Sequence, residues 1–327
     1  MVVSYDALAT TTLQLVRKRL ADAIFKANPF SAFMLANGRV KTESGGTQIE
    51  EPLIYAVNST VKSYRGYDTL DVSPTDELTK AVYQWKLVAG TVSISGEEEN
   101  KNAGEQAIFQ LLRAKIDVLE RSMRQKLNEM FLQSYSLATS KDFLPVGVLV
   151  HHNPGSNTVG GISESGNTWW QNKTKYNSSG TPTITDDWRT FFYDVSQGIE
   201  KPDLILTNQA DYELYEKENA GKLFLTDTAM MDVGFENFKY KGATVMWDPM
   251  MDDSTIRPFT DGTYGNDVNA TYFLNTQYLS VTIHRRRNFV LTPFRQPVDQ
   301  DARVAQLLLM GNLTCSNRRL QGRYAHG

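Results

Sequence analysis

The sequence predicts an α+β fold, and three stretches carry that reading. From Glu105 to Leu144 the chain has no Gly or Pro, and its apolar residues fall at helical spacing. Ile108, Leu111, Leu112, Ile116, Leu119, Met123, Leu127, Met130 and Phe131 form one stripe, with Arg113, Asp117, Glu120, Arg124 and Gln125 assigned to the outer face. Thirty such residues would make a rod of roughly 45 Å, well beyond the mean helix of about twelve residues. Ahead of it the period changes to two, with Ile49, Leu53, Tyr55 and Val57 in one run and Tyr83, Trp85, Leu87 and Val92 in a second spanning Ala81 to Ser95. Behind it, from about 185 to 275, helical and extended patterns alternate in a compact mixed lobe.

The N-terminal residues come first. Leu8, Leu13, Val16, Leu20 and Ile24 predict an amphipathic helix, weakened at its start by Thr10, Thr11 and Thr12. A short helix follows, with Asn28 as its cap, Pro29 at its first position, Phe30, Phe33 and Met34 as its apolar face and Gly38 just past its end. The two extended runs enclose a polar stretch, Asn58 to Lys80, too long for a tight turn and holding Tyr64, Tyr67, Asp68, Asp71, Asp76 and Glu77. That combination predicts a protruding two-stranded arm. An isolated hairpin is marginal in water, so the arm is expected to lie on a neighbouring surface.

Past the long helix, residues 142–162 and 167–182 read as loops, marked by Asn153-Pro154-Gly155 and Gly160-Gly161, with Trp169, Trp170 and Tyr176 the apolar residues of the second stretch. Thr185 is placed as the cap of a helix carrying Trp188, Phe191, Phe192 and Val195, closed by Gly198. Leu204-Ile205-Leu206 reads as a buried strand, Asn208 as the cap of a helix through Tyr212 and Tyr215, and Ala243 to Trp247 as a second central strand. A loop rich in Asp, Gly and Pro fills 248–269. Strands are expected at 272–274, 278–283, 288–293 and 304–313, packed along the long helix.

Composition fits a globular chain of one or two domains, with 327 residues, 41% of them hydrophobic, and a formal charge of −3. No run approaches the roughly twenty apolar residues of a membrane helix, so no membrane partner is expected. Arg17, Lys18 and Arg19 follow a weakly apolar opening, the reverse of an export signal, and the single Cys315 excludes an intrachain disulfide. Both point to a cytoplasmic setting. The five Asn-x-Ser/Thr triplets, at Asn58, Asn172, Asn177, Asn269 and Asn312, then have no glycan to receive.

Chemistry is sparse. Gly161 to Thr168 keeps the glycines and threonine of a phosphate loop but puts Asn167 where the lysine belongs and carries Glu164 inside, where it would repel phosphate. Of four histidines, His151 and His152 are adjacent and on a strand would face opposite ways, and His326 sits at a terminus expected to fray. Asp248, Asp252, Asp253, Asp261 and Asp267 lack calcium-loop spacing and read as a solvated loop. Asp186-Asp187 and Glu97-Glu98-Glu99 belong at helix starts, where acids complement the dipole. No catalytic, cofactor-binding or metal residue is assigned.

Charge is more informative. Between Ile283 and Gly327 stand Arg285, Arg286, Arg287, Arg295, Arg303, Arg318, Arg319 and Arg323 against Asp299 and Asp301. Arg285, Arg286, Arg287, Arg318, Arg319 and Arg323 are the candidates for subunit contacts or DNA phosphates. Subunit contacts are preferred, because no aromatic stacking platform accompanies the arginines. Tyr64, Arg65, Tyr67 and Asp68 are the candidate arm contacts.

Five stretches in this order resemble the major capsid proteins of tailed bacteriophages, the Hong Kong 97 type of shell fold. They are AVYQWKLVAGTVSISGEEENKNAGEQAI, GVLVHHNPGSNTVGGISESGNTWWQNK, PDLILTNQADYELYEKE, NTQYLSVTIHRRRNF and GNLTCSNRRLQGRYA. The glycine pair before Trp169-Trp170-Gln171-Asn172 and the ending from Gly311-Asn312-Leu313 to Gly322 are the most similar parts. The resemblance implies an N-terminal arm at 1–45, an extended E-loop hairpin at 46–96 and a peripheral domain with its spine helix and connecting loops at 97–184. An axial domain at 185–275 and C-terminal strands of the peripheral domain at 276–327 complete it.

The resemblance further implies a structural protein that self-assembles as hexamers and pentamers into an icosahedral phage head, enclosing double-stranded DNA without sequence specificity. Such a protein is not an enzyme and needs no cofactor. Its implied partners are other copies of itself, a portal, a scaffolding protein and, in some members, a decoration protein. Its implied setting is the virion shell, assembled in the host bacterial cytoplasm. Certain members begin with a long cleaved scaffolding segment. Here Met1 stands a few residues before the first shell element, so a separate scaffolding protein is expected. The lysine and asparagine that some members cross-link find no matching positions. An encapsulin-like cellular compartment is the alternative within the same fold. Outside it stand a hydrolase with its pocket in the 185–275 lobe and a nucleic-acid-binding protein using the arginine-rich segment.

Overall fold

A computed structural model describes residues 28–101, 105–134, 138–177, 183–219, 238–252 and 269–326. The helix expected around Leu8–Ile24 lies outside them. The first described element is α1 (Pro29–Ala36). Pro29 opens it, and Gly38 ends it at φ +65°, where the Gly38 and Arg39 N–H groups donate to the Leu35 and Met34 carbonyls as a Schellman motif. Asn28 does not cap it with its side chain. Asn28 Nδ2 instead donates to the Arg124 carbonyl of the long helix, 3.1 Å away, tying the start of the described chain to that helix.

After β1 (Val40–Glu43), β2 (Gln48–Ile54) and β3 (Leu78–Gln84) form an antiparallel hairpin. The single extended run expected from Ala81 to Ser95 breaks at Trp85. Beyond it β4 (Lys86–Ser95) leaves the hairpin and pairs with β14 (Ala302–Cys315) along ten residues. The hairpin is also less isolated than its sequence implies. Ile49, Glu51, Leu53, Ala81 and Tyr83 are buried within their own subunit. Val82 N–H donates to the Gly160 carbonyl at 2.9 Å and the Tyr83 hydroxyl to the Cys315 carbonyl at 2.7 Å.

Gly160 and Gly161, at φ +61° and +75°, make the tight turn between β5 (Thr158–Val159) and β6 (Ile162–Ser163). A Cβ on Gly160 would sit 2.9 Å from Ala81 Cβ, so the hairpin base rests directly on this turn.

Ser95 and Glu98 start α2 (Gly96–Lys101) as a capping box, each side chain accepting the other's N–H at 3.2 Å. Next comes α3 (Glu105–Leu132), whose 28 residues span about 42 Å. It stops twelve residues short of the Gly/Pro-free run. Ser134, Thr139 and Ser140 favour local side-chain hydrogen bonds over helix, and Asp142 Oδ2 draws the segment back by accepting from Thr139 N–H and Oγ1. Leu112, Ile116, Leu119, Met123, Leu127, Met130 and Phe131 form the buried stripe as expected. Glu120 is a correction: it is buried, not outward, and its Oε1 lies 2.5 Å from Arg124 Nη2. The helix lies so close on β4 that a Cβ on Gly90 would overlap Leu119 Cδ1.

α4 (Val146–Leu149) and a short 3-10 turn at Thr168–Trp170 interrupt the loops. Residues expected as loop at 173–177 instead form β7 (Lys173–Asn177), whose lysines suit the edge of a sheet. α5 (Ile184–Val195) is not capped by Thr185. Glu218, from α6 (Gln209–Asn219), accepts the Ile184 and Thr185 N–H groups at 3.0 and 2.7 Å. Asn208 does cap α6, its Oδ1 accepting Asp211 N–H at 3.2 Å.

The remaining strands are β8 (Leu204–Thr207), β9 (Phe238–Tyr240), β10 (Ala243–Trp247), β11 (Asn269–Leu274), β12 (Leu279–His284), β13 (Val290–Leu291) and β15 (Gly322–His326). One sheet runs β1-β12-β14-β13, with β4 also paired to β14; the other runs β7-β15-β11-β8-β10-β9. In the six-stranded sheet, Ile205, Val245, Phe273 and Tyr324 meet the α5 and α6 aromatics. Leu204, Leu206, Met246, Tyr272 and Leu274 join the larger core that holds the α3 stripe.

β11 therefore belongs to this lobe and not beside α3, and so does β15, inserted between β7 and β11. The C-terminal segment as a whole does not complete the other sheet. His326 is not frayed: it is buried, with Nε2 2.6 Å from Asp211 Oδ1.

Candidate assembly surfaces

The arm tip buries almost nothing of itself. Val57, Val61, Tyr64, Tyr67, Val72 and Leu78 are all strongly exposed, Tyr67 completely. Large apolar side chains left exposed along one segment are characteristic of an interaction site. Its shape is held by local polar bonds: Asp68 Oδ2 accepts Arg65 N–H at 2.7 Å, and Asp71 Oδ1 accepts from Ser73 N–H and hydroxyl at 3.0 and 2.7 Å. Those two bonds hold the Asp71 carboxyl below the usual carboxylate range.

The six candidate arginines separate sharply. Arg285, Arg286 and Arg287 form a 3-10 turn after β12 and are exposed. Arg319 is half-buried, its Nη1 donating to the Asp194 carbonyl at 3.0 Å. Arg323 is buried within β15. Arg318 is corrected outright, being fully buried and facing neither DNA nor a neighbour.

Arg318 instead ties together the segments that carry the two sheets. Its Nε donates to the Leu149 carbonyl at 2.7 Å, Nη1 to the Trp170 carbonyl and Nη2 to Asn172 Oδ1, both at 3.3 Å. Nη1 also lies 2.5 Å from Glu164 Oε1, and neither side chain reaches solvent. Glu164 Oε2 accepts Gly155 N–H at 2.8 Å. The glutamate that spoils a phosphate loop is thus the counter-charge of a buried arginine on the crossing from β14 to β15. The sequence signal was available, an acid inside a glycine-rich turn, but not its partner 154 positions on.

A second tie joins α3 to the six-stranded lobe. Asn128 Nδ2 donates to both Asp248 oxygens, at 3.1 and 3.2 Å, and Asp248 Oδ1 accepts Met250 N–H at 2.9 Å. Asp248 is fully buried, contrary to the expected solvated loop, and burial pushes its carboxyl above the usual range. Asp252 accepts Gln209 N–H at 3.0 Å, while Asp253, Asp261 and Asp267 lie outside the described residues.

Among the described residues no group of three or more His, Cys, Asp or Glu is placed to hold a metal, and no helix is long and apolar enough to cross a membrane. His151 and His152 are not on a strand, and their ring centroids are 4.0 Å apart. Burial holds the His151 imidazole below its ordinary value. Asp186 pairs with Arg189 at 3.0 Å. Asp187 is partly buried, yet hydrogen bonds from Asn177, Lys175 and the Tyr324 hydroxyl keep its carboxyl low. Each acid is thus spent on helix and sheet.

No family model and no curated protein matches the chain. Solved structures do. The capsid subunit of cyanophage A-1(L) is 14% identical, with a TM-score of 0.60 and coverage of 89% of this chain and 91% of that one. The capsid of the empty GTA particle is 11% identical, with a TM-score of 0.56 and 89% of both chains covered. The SrpI encapsulin of Synechococcus elongatus PCC 7942 is 10% identical, with a TM-score of 0.54 and coverage of 89% and 86%. At such identities the likeness is one of fold: the chain has the shell-subunit fold along nearly its whole length.

Proposed function

We propose that the chain is a structural shell protein of a phage head, assembling as hexamers and pentamers around double-stranded DNA. The observation that carries the reading is end-to-end likeness to a phage capsid subunit, nine tenths of each chain superposing at a TM-score of 0.60. A second feature supports it, an arm whose tip leaves Val57, Val61, Tyr64, Tyr67 and Val72 exposed. Its mechanism is association. One sequence must tolerate slightly different neighbours, and an exposed tip on a hairpin whose base is bonded into its own core suits that demand. Tyr64, Arg65, Tyr67 and Asp68 are proposed inter-subunit contacts, and Arg285, Arg286, Arg287 and Arg319 remain the basic residues open to a partner. Scaffolding, portal and decoration proteins are the proposed assembly partners, in the host bacterial cytoplasm.

The likeness to an encapsulin supports a second reading, a cellular compartment with protein cargo. Shell contents decide between them. Purified shells are expected to protect DNA from nuclease, whereas shells free of DNA and filled with one enzyme would establish the compartment.

A further inference from the structure

The tie between α3 and the six-stranded lobe has one acceptor too many. Asn128 is buried and its Nδ2 donates to both Asp248 oxygens, but its own Oδ1, also buried, has no hydrogen-bond partner among the described residues. A buried acceptor left unpaired is rare in folded proteins and destabilising. Asp248 supplies the missing donor when it holds a proton. Its two oxygens are not equivalent: Oδ1 also accepts Met250 N–H at 2.9 Å, whereas Oδ2 meets the Asn128 amide alone, at 3.2 Å, among the described residues. Oδ2 is therefore the oxygen free to carry hydrogen. A turn of the Asn128 amide about χ2, a soft torsion, then closes a ring of two hydrogen bonds. In it Asn128 Nδ2–H donates to Asp248 Oδ1, and Asp248 Oδ2–H donates to Asn128 Oδ1.

The surroundings favour the neutral acid. Asp248 is fully buried at the end of β10, and α3 faces it with the neutral Asn128. β8 faces it with the Thr207 carbonyl, which accepts the Asp248 N–H at 3.3 Å, and the 3-10 turn Pro249–Met251 with the Met250 N–H. α6 turns its Asp211 away, to His326. The charge that acts on Asp248 is Asp252, just past the turn, whose carboxylate accepts Gln209 N–H. A second acid nearby and the loss of water both resist ionisation.

We infer that Asp248 keeps a proton on Oδ2 in the folded subunit and donates it to Asn128 Oδ1, fastening α3 to the six-stranded lobe by a latch that opens when the proton leaves. The latch spans the junction of the two parts: Asp248 continues β10 of the lobe, and Met251, three residues on, is buried in the core that holds the α3 stripe. Ionisation leaves Asn128 Oδ1 orphaned beside a carboxylate. An aspartate in the unfolded chain titrates near about 3.9. Because the folded state holds the proton more tightly, the latch contributes fully below that value, and its contribution is lost as pH rises through the folded value. An ion-paired carboxylate behaves the opposite way.

Asp248→Asn tests the inference, because the amide is a permanent copy of the protonated acid, with Nδ2–H in place of Oδ2–H. Denaturant unfolding of the parent and variant full chains is compared from about pH 4 to 8, a range that starts at the unfolded value. Between the unfolded and folded values the parent's unfolding constant is expected to rise, relative to that of Asp248→Asn, by up to about tenfold per pH unit, the signature of one proton. A ratio that stays level or falls with pH would overturn the inference. Infrared difference spectra, parent minus Asp248→Asn, read the proton itself and cancel the other carboxyls, among them Asp203, which burial also pushes up. A protonated-carboxyl band is expected in the difference at about pH 5, above the range of exposed Asp and Glu, and its absence would overturn the latch. If Asp248→Asn does not fold, Asn128→Leu replaces it: the acid loses its acceptor, so the parent's band is expected to move to higher wavenumber, and an unmoved band would overturn the bond. These measurements need no shell, so their failure is distinct from failure of the shell reading.

Discussion

Arg318→Ala is expected to lower the free energy of unfolding by about 3–5 kcal/mol, the usual cost of leaving a buried charge without its partner. Glu164 would lose its counter-charge where no water reaches it, and the Leu149 and Trp170 carbonyls would each lose a donor. The double replacement Glu164→Gln/Arg318→Met is expected to be less damaging than Arg318→Ala, because it removes both charges and keeps much of the volume. Denaturant unfolding of the three proteins checks this. A double variant less stable than the single one would mean that packing around Trp170, over which the guanidinium lies at 5.7 Å, matters more than charge.

Leu119→Asp is expected to prevent folding, because it places a carboxylate against Gly90 and β4 in the main core, where the helix and strand lie in close contact. Losses above about 4–5 kcal/mol are exceptional for one substitution, and an unpaired charge in a core is one of the few routes to them. Arg124→Ala is not the mild outer-face change that helical spacing suggests. Its partner Glu120 is buried, so a loss of about 1–3 kcal/mol is expected. Arg113→Ala, on the exposed side, is the neutral control and should stay within about 0.5 kcal/mol. Soluble yield and thermal unfolding of the set read the helix face directly. Equal losses for Arg113→Ala and Arg124→Ala would contradict the buried position of Glu120.

The long helix was legible because its stripe repeats over seven buried residues, from Leu112 to Phe131, a signal no other element of this length produces. Its end was not. Thr139 bonds Asp142 through its N–H and hydroxyl, and Gln133 through its amide, which spacing does not record. The hairpin was visible, but the switch of partner at Trp85 was not, because Tyr83, Trp85 and Leu87 read as one alternating face, whereas the buried positions pass from Ala81 and Tyr83 to Val88, Val92 and Ile94 as the chain moves from one sheet to another. β7, Lys-Thr-Lys-Tyr-Asn, is too polar to read as a strand, and its edge position is the reason. β15 hid because a short basic segment near a terminus gives no sign of lying between two strands.

The candidate surfaces were half legible. Spacing found the exposed arm and the arginine-rich segment, yet charge alone could not separate Arg318, which is internal, from Arg285–Arg287, which are external. That difference depends on Glu164, a residue whose own role emerges only when the loop and the strand crossing meet in space. The same limit hid the Asn128–Asp248 tie, two residues that look solvated in sequence and are buried together.

Electron microscopy of the purified protein, produced with its scaffold, addresses the central claim most directly. Closed icosahedral shells hundreds of ångströms wide, with the arm of each copy resting on a neighbour, are the expected result. Monodisperse monomers under every condition tried, with correct folding verified and scaffold supplied, would contradict it.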